Sequence, residues 1–257
     1  MTGEPTTAAA PDASLGRMQQ PAPGLVVVNA TRLRDFRLCR RRFYLRSVLS
    51  IAGDDDLDIG DGVTQGLAVH AELYARHADF ARHDDEVGVD PETASDSWVL
   101  ARARNHRALC PADRAVYGGG EVDLRWFVAR KALLLTGRAD ALWRYPDGTC
   151  EIRDYKSRGC PEALDDDDGA LVYALLAAAQ PERPPQVRVV FEALGGDEPR
   201  VATLDVDATV LRRARDRVYA FLDALRVEKR FDATPSPVAC GTCPYRRLCP
   251  HTIVTGD

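Results

Sequence analysis

Two aspartates and a lysine, Asp140, Asp154 and Lys156, flank a turn signal in "TGRADALWRYPDGTCEIRDYKS", residues 136 to 157. Within it, Pro146 presets φ and Gly148 accepts a positive one, so the segment predicts two antiparallel strands and a tight turn. A hairpin folded about Asp147 and Gly148 pairs residues whose numbers sum to about 294 or 295, which sets Asp140 opposite or nearly opposite Asp154. Lys156, two residues further on, shares the face of Asp154. Like charges opposed across a β-pair repel, and more so as water is lost. A hard divalent cation, Mg²⁺ or Mn²⁺, relieves that repulsion, because it takes carboxylate, water and phosphate oxygens as ligands. The ammonium beside it would stabilise charge on a phosphate or help orient and deprotonate a water. On an exposed sheet, Lys156 would merely neutralise two surface carboxylates. The neighbours Leu133, Leu134, Leu135, Ala139, Ala141, Ile152 and Tyr155 instead predict a largely buried one.

A second constellation is made of sulfur. The chain has seven cysteines, an odd number for a disulfide framework. Three of them, Cys240, Cys243 and Cys249, form C-x2-C-x5-C in "CGTCPYRRLCP". That spacing closes around one metal centre and leaves a fourth position to fill; tetrahedral Zn²⁺ and an iron–sulfur cluster both suit it. Cys110, Cys150 and Cys160 show no such spacing and read as ordinary thiols.

The elements that must position these groups follow from periodicity. Residues 1–24, rich in Ala, Pro and Thr, read as a disordered tail before one folded domain over 25–257. "TRLRDFRLCRRRFYLR", residues 31 to 46, holds seven Arg against one Asp and predicts a basic amphipathic helix. "VTQGLAVHAELYARHADFA" and "SDSWVLARARNHRAL" predict two more helices. "EVDLRWFVA", "ALLLTGRADALWRY", "TCEIRDYKS", "QVRVVFEAL" and "RVATLDVD" predict strands, interrupted by a helix at "GALVYALLAAA" and followed by one at about 207–228. The expected fold is α/β, a small mixed sheet flanked by helices. The net charge of −5 hides this basic run, because the acid is concentrated in "DDDLD", "DDE" and "DDDD", which read as solvated surface. No apolar run reaches the length of a membrane span and no export signal opens the sequence, so a cytoplasmic location is expected.

The D-(x13)-D-x-K arrangement resembles the PD-(D/E)XK nuclease superfamily, in particular its RecB-like branch, with "GRAD" (137–140) and "DYK" (154–156) as the paired strands. "GLAVHAELY" resembles the branch's helix with a G-x3-H signature, Gly66 and His70 being the matching positions. The resemblance implies a restriction-endonuclease-like core. It further implies His70, Asp140, Asp154 and the Tyr155 carbonyl as metal ligands and Lys156 as the catalytic amine. Glu121 matches an often acidic position without an assigned role. The branch's Q-x3-Y helix is matched at Tyr173, a candidate substrate-binding residue, but Gly169 stands where the Gln is expected. "LCRRRFYL" resembles the "CPxxFYL" segment of RecB-like enzymes with an iron–sulfur cluster, among them the CRISPR-associated adaptation exonucleases and the AddB nuclease domain; Arg40 replaces the Pro. That resemblance implies Cys39 as the fourth ligand of a [4Fe-4S] cluster, with Zn²⁺ the alternative, joining the N- and C-terminal segments.

If Cys39 joins the C-terminal trio, Arg40, Arg41, Arg42, Arg246 and Arg247 gather around one centre as a basic patch suited to a phosphodiester backbone. Phe43, Tyr44 and Tyr245 would lie there as stacking platforms or as core. The expected function is a metal-dependent deoxyribonuclease, an exonuclease on single-stranded DNA or DNA ends, in DNA repair, recombination or CRISPR adaptation. The alternative is a weakly active or inactive DNA-binding or scaffold subunit of a helicase or integrase complex, which the missing Gln and the four aspartates beside it keep open. A zinc-stabilised nucleic-acid-binding protein is a third reading.

Overall fold

The computed structural model describes residues 24–53, 68–75, 77, 97–156, 159–195 and 199–253. Apart from Gly24, the expected tail lies outside the described residues, as do Gly66 and the acidic runs at 54–58 and 84–86.

Among the described residues, six strands form one mixed sheet: β1 (Val26–Val28), β2 (Val116–Val128), β3 (Leu133–Arg144), β4 (Thr149–Lys156), β5 (Gln186–Ala193) and β6 (Arg200–Val206). β3 is its spine. Along one edge it pairs antiparallel with β2 over nearly its whole length. Its other edge is shared: β1 runs parallel to Leu133–Leu135, and β4 runs antiparallel to Ala141–Arg144. Between those two partners, residues 136–140 have no β-ladder on that edge among the described residues. β5 then pairs parallel with β4, and β6 antiparallel with β5. β1, three valines, was not expected; so short a run carries no periodicity to detect.

The helices are α1 (Ala30–Leu38), α2 (Arg40–Phe43) running into a π-turn at Tyr44–Val48, α3 (68–75), α4 (Ser97–Leu109), α5 (Asp168–Ala178), α6 (Ala208–Val227) and α7 (Pro237–Gly241). The main core packs Leu33 and Phe36 of α1, Leu171 and Leu176 of α5, and Val218, Phe221 and Leu222 of α6 against Leu133, Leu135, Ile152 and Phe191 of the sheet. In α6 the buried residues Val210, Ala214, Val218, Phe221 and Leu222 recur every three or four positions, which gives one apolar face. A second core joins Val69 and Leu73 of α3 and Ala103 of α4 to Ala141, Trp143 and Tyr155 of the sheet. No helix among the described residues is long and apolar enough to cross a membrane.

Two expectations are corrected. The single basic helix over 31–46 is broken at Cys39, whose extended backbone (φ −161°, ψ 118°) ends α1 and caps α2. The aspartates at 165–168 are not merely solvated surface: Asp168 is buried against Arg37 and Arg217, at 3.1 and 2.8 Å, Asp166 pairs with Arg217, and Asp165 with Arg213. Asp167 is the N-cap of α5 and accepts from the amides of Gly169 and Ala170 at 2.8 and 3.0 Å. The run thus fastens α5 to α1 and α6.

Candidate active site

The hairpin folds in the register that its turn requires. The ladder pairs Arg144 with Cys150, Trp143 with Glu151, Leu142 with Ile152 and Ala141 with Arg153. Asp140 and Asp154 are next in that register, and there the strands part company. The Tyr155 amide, on the edge facing β3, donates to the Asp140 carboxylate (Oδ2, 2.6 Å) rather than to a backbone carbonyl. Its carbonyl, which projects from the same edge, accepts from His70 Nε2 at 3.0 Å. The site therefore occupies the unpaired stretch of β3, with α3 supplying the histidine.

His70 Nδ1 lies 3.3 Å from Asp140 Oδ1 and 3.8 Å from Glu121 Oε1, and one donor atom from each of the three residues falls within 4.8 Å of the others. Burial pushes the imidazole towards its neutral form. The hydrogen bond and charge of Asp140, the Tyr155 carbonyl and Glu121 outweigh it and raise His70 to about 9. Glu121 lies inside β2. It falls between the pairs Gly120 with Ala141 and Val122 with Ala139, opposite Asp140, and its backbone is left-handed there (φ 52°). A non-glycine residue at that φ is strained. The kink follows a register shift between Tyr117 and Gly119, where Gly119 takes φ 138°, and the Glu121 carboxylate is held by Arg138 Nε at 2.7 Å. The triple glycine at 118–120 was the available signal for this bent strand.

On β4, Lys156 Nζ donates to Asp154 Oδ2 at 2.6 Å and stands 4.5 Å over the Phe191 ring. Burial raises the Asp154 carboxyl to about 6, with Asp140's charge adding to the effect and Lys156 opposing it. Tyr173 reaches the site from α5: its hydroxyl donates to the Arg138 carbonyl at 2.5 Å. Burial holds the phenol well above its usual range, reinforced by Asp154, Asp140 and Glu121. Gly169, at the position expected to be Gln, lies in the first turn of α5. A Cβ there would stand 3.2 Å from Phe191 Cζ, so glycine lets α5 seat on the ring that supports Lys156.

The four cysteines Cys39, Cys240, Cys243 and Cys249 line one cavity, with Arg41, Arg42, Leu45, Ala239, Tyr245 and His251 among its other walls. Burial would raise the Cys39 thiol, but hydrogen bonds from Thr234 and from the amides of Arg42 and Arg41 bring it below the usual range. Cys243 is shifted the other way, by burial above all, with the charges of Cys39 and Cys249 contributing. Of the basic residues expected to form a patch, Arg42 is internal: it is buried, its Nε lies 2.8 Å from Asp35 Oδ1, and its Nη1 donates to the Thr242 carbonyl at 3.2 Å. Arg40 packs on the Phe36 ring at 3.3 Å and lies 3.7 Å from Glu228. Arg41 is half-buried, while Arg246 and Arg247 are exposed. Phe43 and Tyr245 are core residues, the latter donating to the Ile51 carbonyl at 3.0 Å, and Tyr44 stacks on Phe231.

The family model described as the PD-(D/E)XK nuclease superfamily matches residues 27–250, and the chain belongs to that superfamily. Its nucleases are generally dependent on divalent metals such as Mg²⁺ or Mn²⁺. Among solved structures, the putative exonuclease from Eubacterium rectale aligns over 89% of this chain and 89% of that one, at 14% identity and a TM-score of 0.51, and shares the fold. SSO0001 aligns over 89% of this chain and 87% of that one, at 14% identity and a TM-score of 0.42. No curated protein matches the chain.

Proposed function

We propose that the chain is a RecB-like, divalent-metal-dependent deoxyribonuclease that works as an exonuclease on single-stranded DNA or DNA ends. The observation that carries this reading is the convergence of His70, Asp140, Asp154 and the Tyr155 carbonyl at the unpaired stretch of β3. Carboxylate and carbonyl oxygens with one imidazole fit a hard cation that keeps several water ligands. Bound there, Mg²⁺ or Mn²⁺ would supply Lewis acidity towards the scissile phosphate and lower the pKa of a coordinated water. His70, Asp140, Asp154 and the Tyr155 carbonyl would hold the cation, and the Tyr155 amide fixes Asp140 in turn. Lys156, clamped between Asp154 and the Phe191 ring, offers its ammonium to charge that develops on the phosphate. Arg41, Arg246 and Arg247 are the proposed contacts to the DNA backbone, and Tyr173 acts by supporting the Arg138 backbone beside Asp140.

In the same reading, Cys39, Cys240, Cys243 and Cys249 hold a structural [4Fe-4S] cluster within the one nuclease domain, joining its N- and C-terminal segments. Four thiol-bearing side chains on one cavity, with Cys39 turned towards it by the break between α1 and α2, support this. The anaerobically purified protein is expected to be brown with about four irons per chain, and Cys249→Ser to lose most of that iron. A colourless wild-type protein holding zinc at these cysteines instead would replace the cluster with Zn²⁺.

The direct test incubates the folded protein with end-labelled single-stranded DNA and Mn²⁺ or Mg²⁺, alongside Lys156→Ala. Cleavage that requires the metal and falls by about a hundredfold or more in the variant is expected. A folded wild-type protein that binds DNA without cutting it would favour the scaffold reading. Metal binding is also expected to expel protons, since His70 keeps its proton up to about 9 and Asp154 up to about 6. Affinity for Mn²⁺ therefore rises with pH between 6 and 9, by up to about tenfold per unit where one proton is displaced. Calorimetry in two buffers of different ionisation heat counts those protons, and affinity independent of pH would remove His70 from the ligand set.

A further inference from the structure

On the face of β4 behind the candidate active site, a second set of metal-ligating side chains meets. His77 follows α3, His106 lies on α4, and Cys110 begins the loop after it. One donor atom from each lies within 4.8 Å of the other two. The two Nε2 atoms are 2.9 Å apart, and Cys110 Sγ is 3.7 Å from His77 Nε2. Both histidines are almost fully buried, at 1% and 2% exposure, between Trp143, Tyr117 and Tyr155.

Two features favour a soft or borderline cation at this point. First, His106 Nδ1 donates to Glu192 Oε1 at 2.7 Å, which turns its Nε2 towards the cluster; a carboxylate behind a metal-ligating histidine is the usual arrangement. Glu192 is itself held by Arg153 Nη1 at 2.5 Å, so the imidazole is aimed by a fixed partner. Second, the Tyr155 hydroxyl is fully buried and has no hydrogen-bond partner among the described residues, although its ring centre lies 5.1 Å from that of His106. An orphaned buried hydroxyl is destabilising, and a metal-bound water or the metal itself would relieve it.

We propose that His77, His106 and Cys110 bind one Zn²⁺, with a water or the Tyr155 hydroxyl completing the shell. Tetrahedral zinc sets two imidazole nitrogens about 3.3 Å apart and a nitrogen and a sulfur about 3.6 Å apart, so the observed separations need to change by only about 0.4 Å. The site is separate from the hard-ion site and from the four cysteines. It ties the residue just past α3 to α4, and because His77 lies two positions beyond the end of α3, the zinc would anchor the helix that carries His70. Zinc here is a positioning device.

Metal analysis of the full chain purified from zinc-supplemented medium tests the proposal. About one zinc per chain beyond any metal held by the four cysteines is expected, and Cys110→Ser and His77→Gln should each lower zinc by close to one equivalent while leaving iron unchanged. Cys249→Ser provides the reciprocal control, expected to lower the metal of the four-cysteine centre and to spare this zinc. Hydrogen exchange in 68–77 should quicken by about tenfold or more in both zinc-site variants. Zinc at wild-type level in the two folded variants, or a wild-type protein with no zinc outside the four cysteines, would overturn it. Cys110→Ser keeps both histidines and the contact of His106 with Glu192, so it remains informative if His77→Gln does not fold.

Discussion

Asp140→Asn is expected to lower metal-dependent cleavage by about a thousandfold or more while leaving the protein folded. The carboxylate touches the Tyr155 amide at 2.6 Å and His70 at 3.3 Å and adds its charge to Asp154. Asparagine keeps an oxygen for the Tyr155 amide, so the local backbone has no reason to move. It removes one of the negative charges that hold a hard cation; losing about 4 kcal/mol of transition-state stabilisation corresponds to that factor. Stability is governed by two opposed effects. In the metal-free protein His70 is raised to about 9, so its contribution is complete below about 6.5 and lost as pH climbs to 9; the variant forgoes most of it. Asp154 is raised to about 6 by burial and by Asp140, a contribution that destabilises above that pH, and the variant relieves part of it. Near pH 7 the two oppose each other and the unfolding free energy, measured with urea, should shift by no more than about 1 kcal/mol. Cleavage at a tenth of the wild-type rate would take Asp140 out of the site.

The hairpin was legible because its information is local: a turn residue pair fixes register, and register fixes which carboxylates face each other. The strands and the helix α6 were legible for the same reason, their patterns being local, and α5 was legible as a run of helix-forming Ala and Leu buried nearly all round. Other parts were set by contacts far apart in sequence. Nothing local says that β1 and β4 share one edge of β3 and leave 136–140 open, although this gap makes the site. The break at Cys39 overrides a good helical pattern, since Arg42 just beyond it is bound to Asp35 and Thr242. The same is true of the arginines, whose spacing suggested one basic face while the fold turns Arg42 inward. Aspartates 165–168 looked like solvent-facing charge, but they cap α5 and pair with Arg37, Arg213 and Arg217. His77, His106 and Cys110 carry no motif spacing and are joined only by the packing of α3 on α4. Resemblance, rather than composition or periodicity, pointed to His70, and the fold sets it against Asp140 and Tyr155.

Arg153→Leu is expected to cost about 3–5 kcal/mol of stability, a large part of the total for a domain of this size. Arg153 is buried, with Nε 2.6 Å from Glu151 and Nη1 2.5 Å from Glu192, and Nη1 also donates to the Leu109 carbonyl at 2.9 Å. Glu151 and Glu192 are equally buried, and these partners hold the guanidinium above even its normal high range. Leucine fills much of the volume, so the loss is one of charge: Glu192 would be left with His106 and Glu151 with the half-exposed Arg188 at 3.9 Å. That origin has a signature in pH. A carboxylate stranded without its cation has a raised folded-state pKa, so the deficit should be largest at pH 8 and shrink as pH falls and the acid takes up a proton. Adding Glu192→Gln should recover part of the loss at pH 8 and little of it at pH 5. A deficit that does not change with pH, or one below about 1 kcal/mol, would mean that packing alone decides the effect. Side chains alternate along β4, so Glu151, Arg153 and Tyr155 stand behind Asp154 and Lys156. The buried ion pairs therefore back the strand on which the candidate catalytic groups are mounted, and their loss should weaken the fold before it alters the chemistry of the molecules that remain folded.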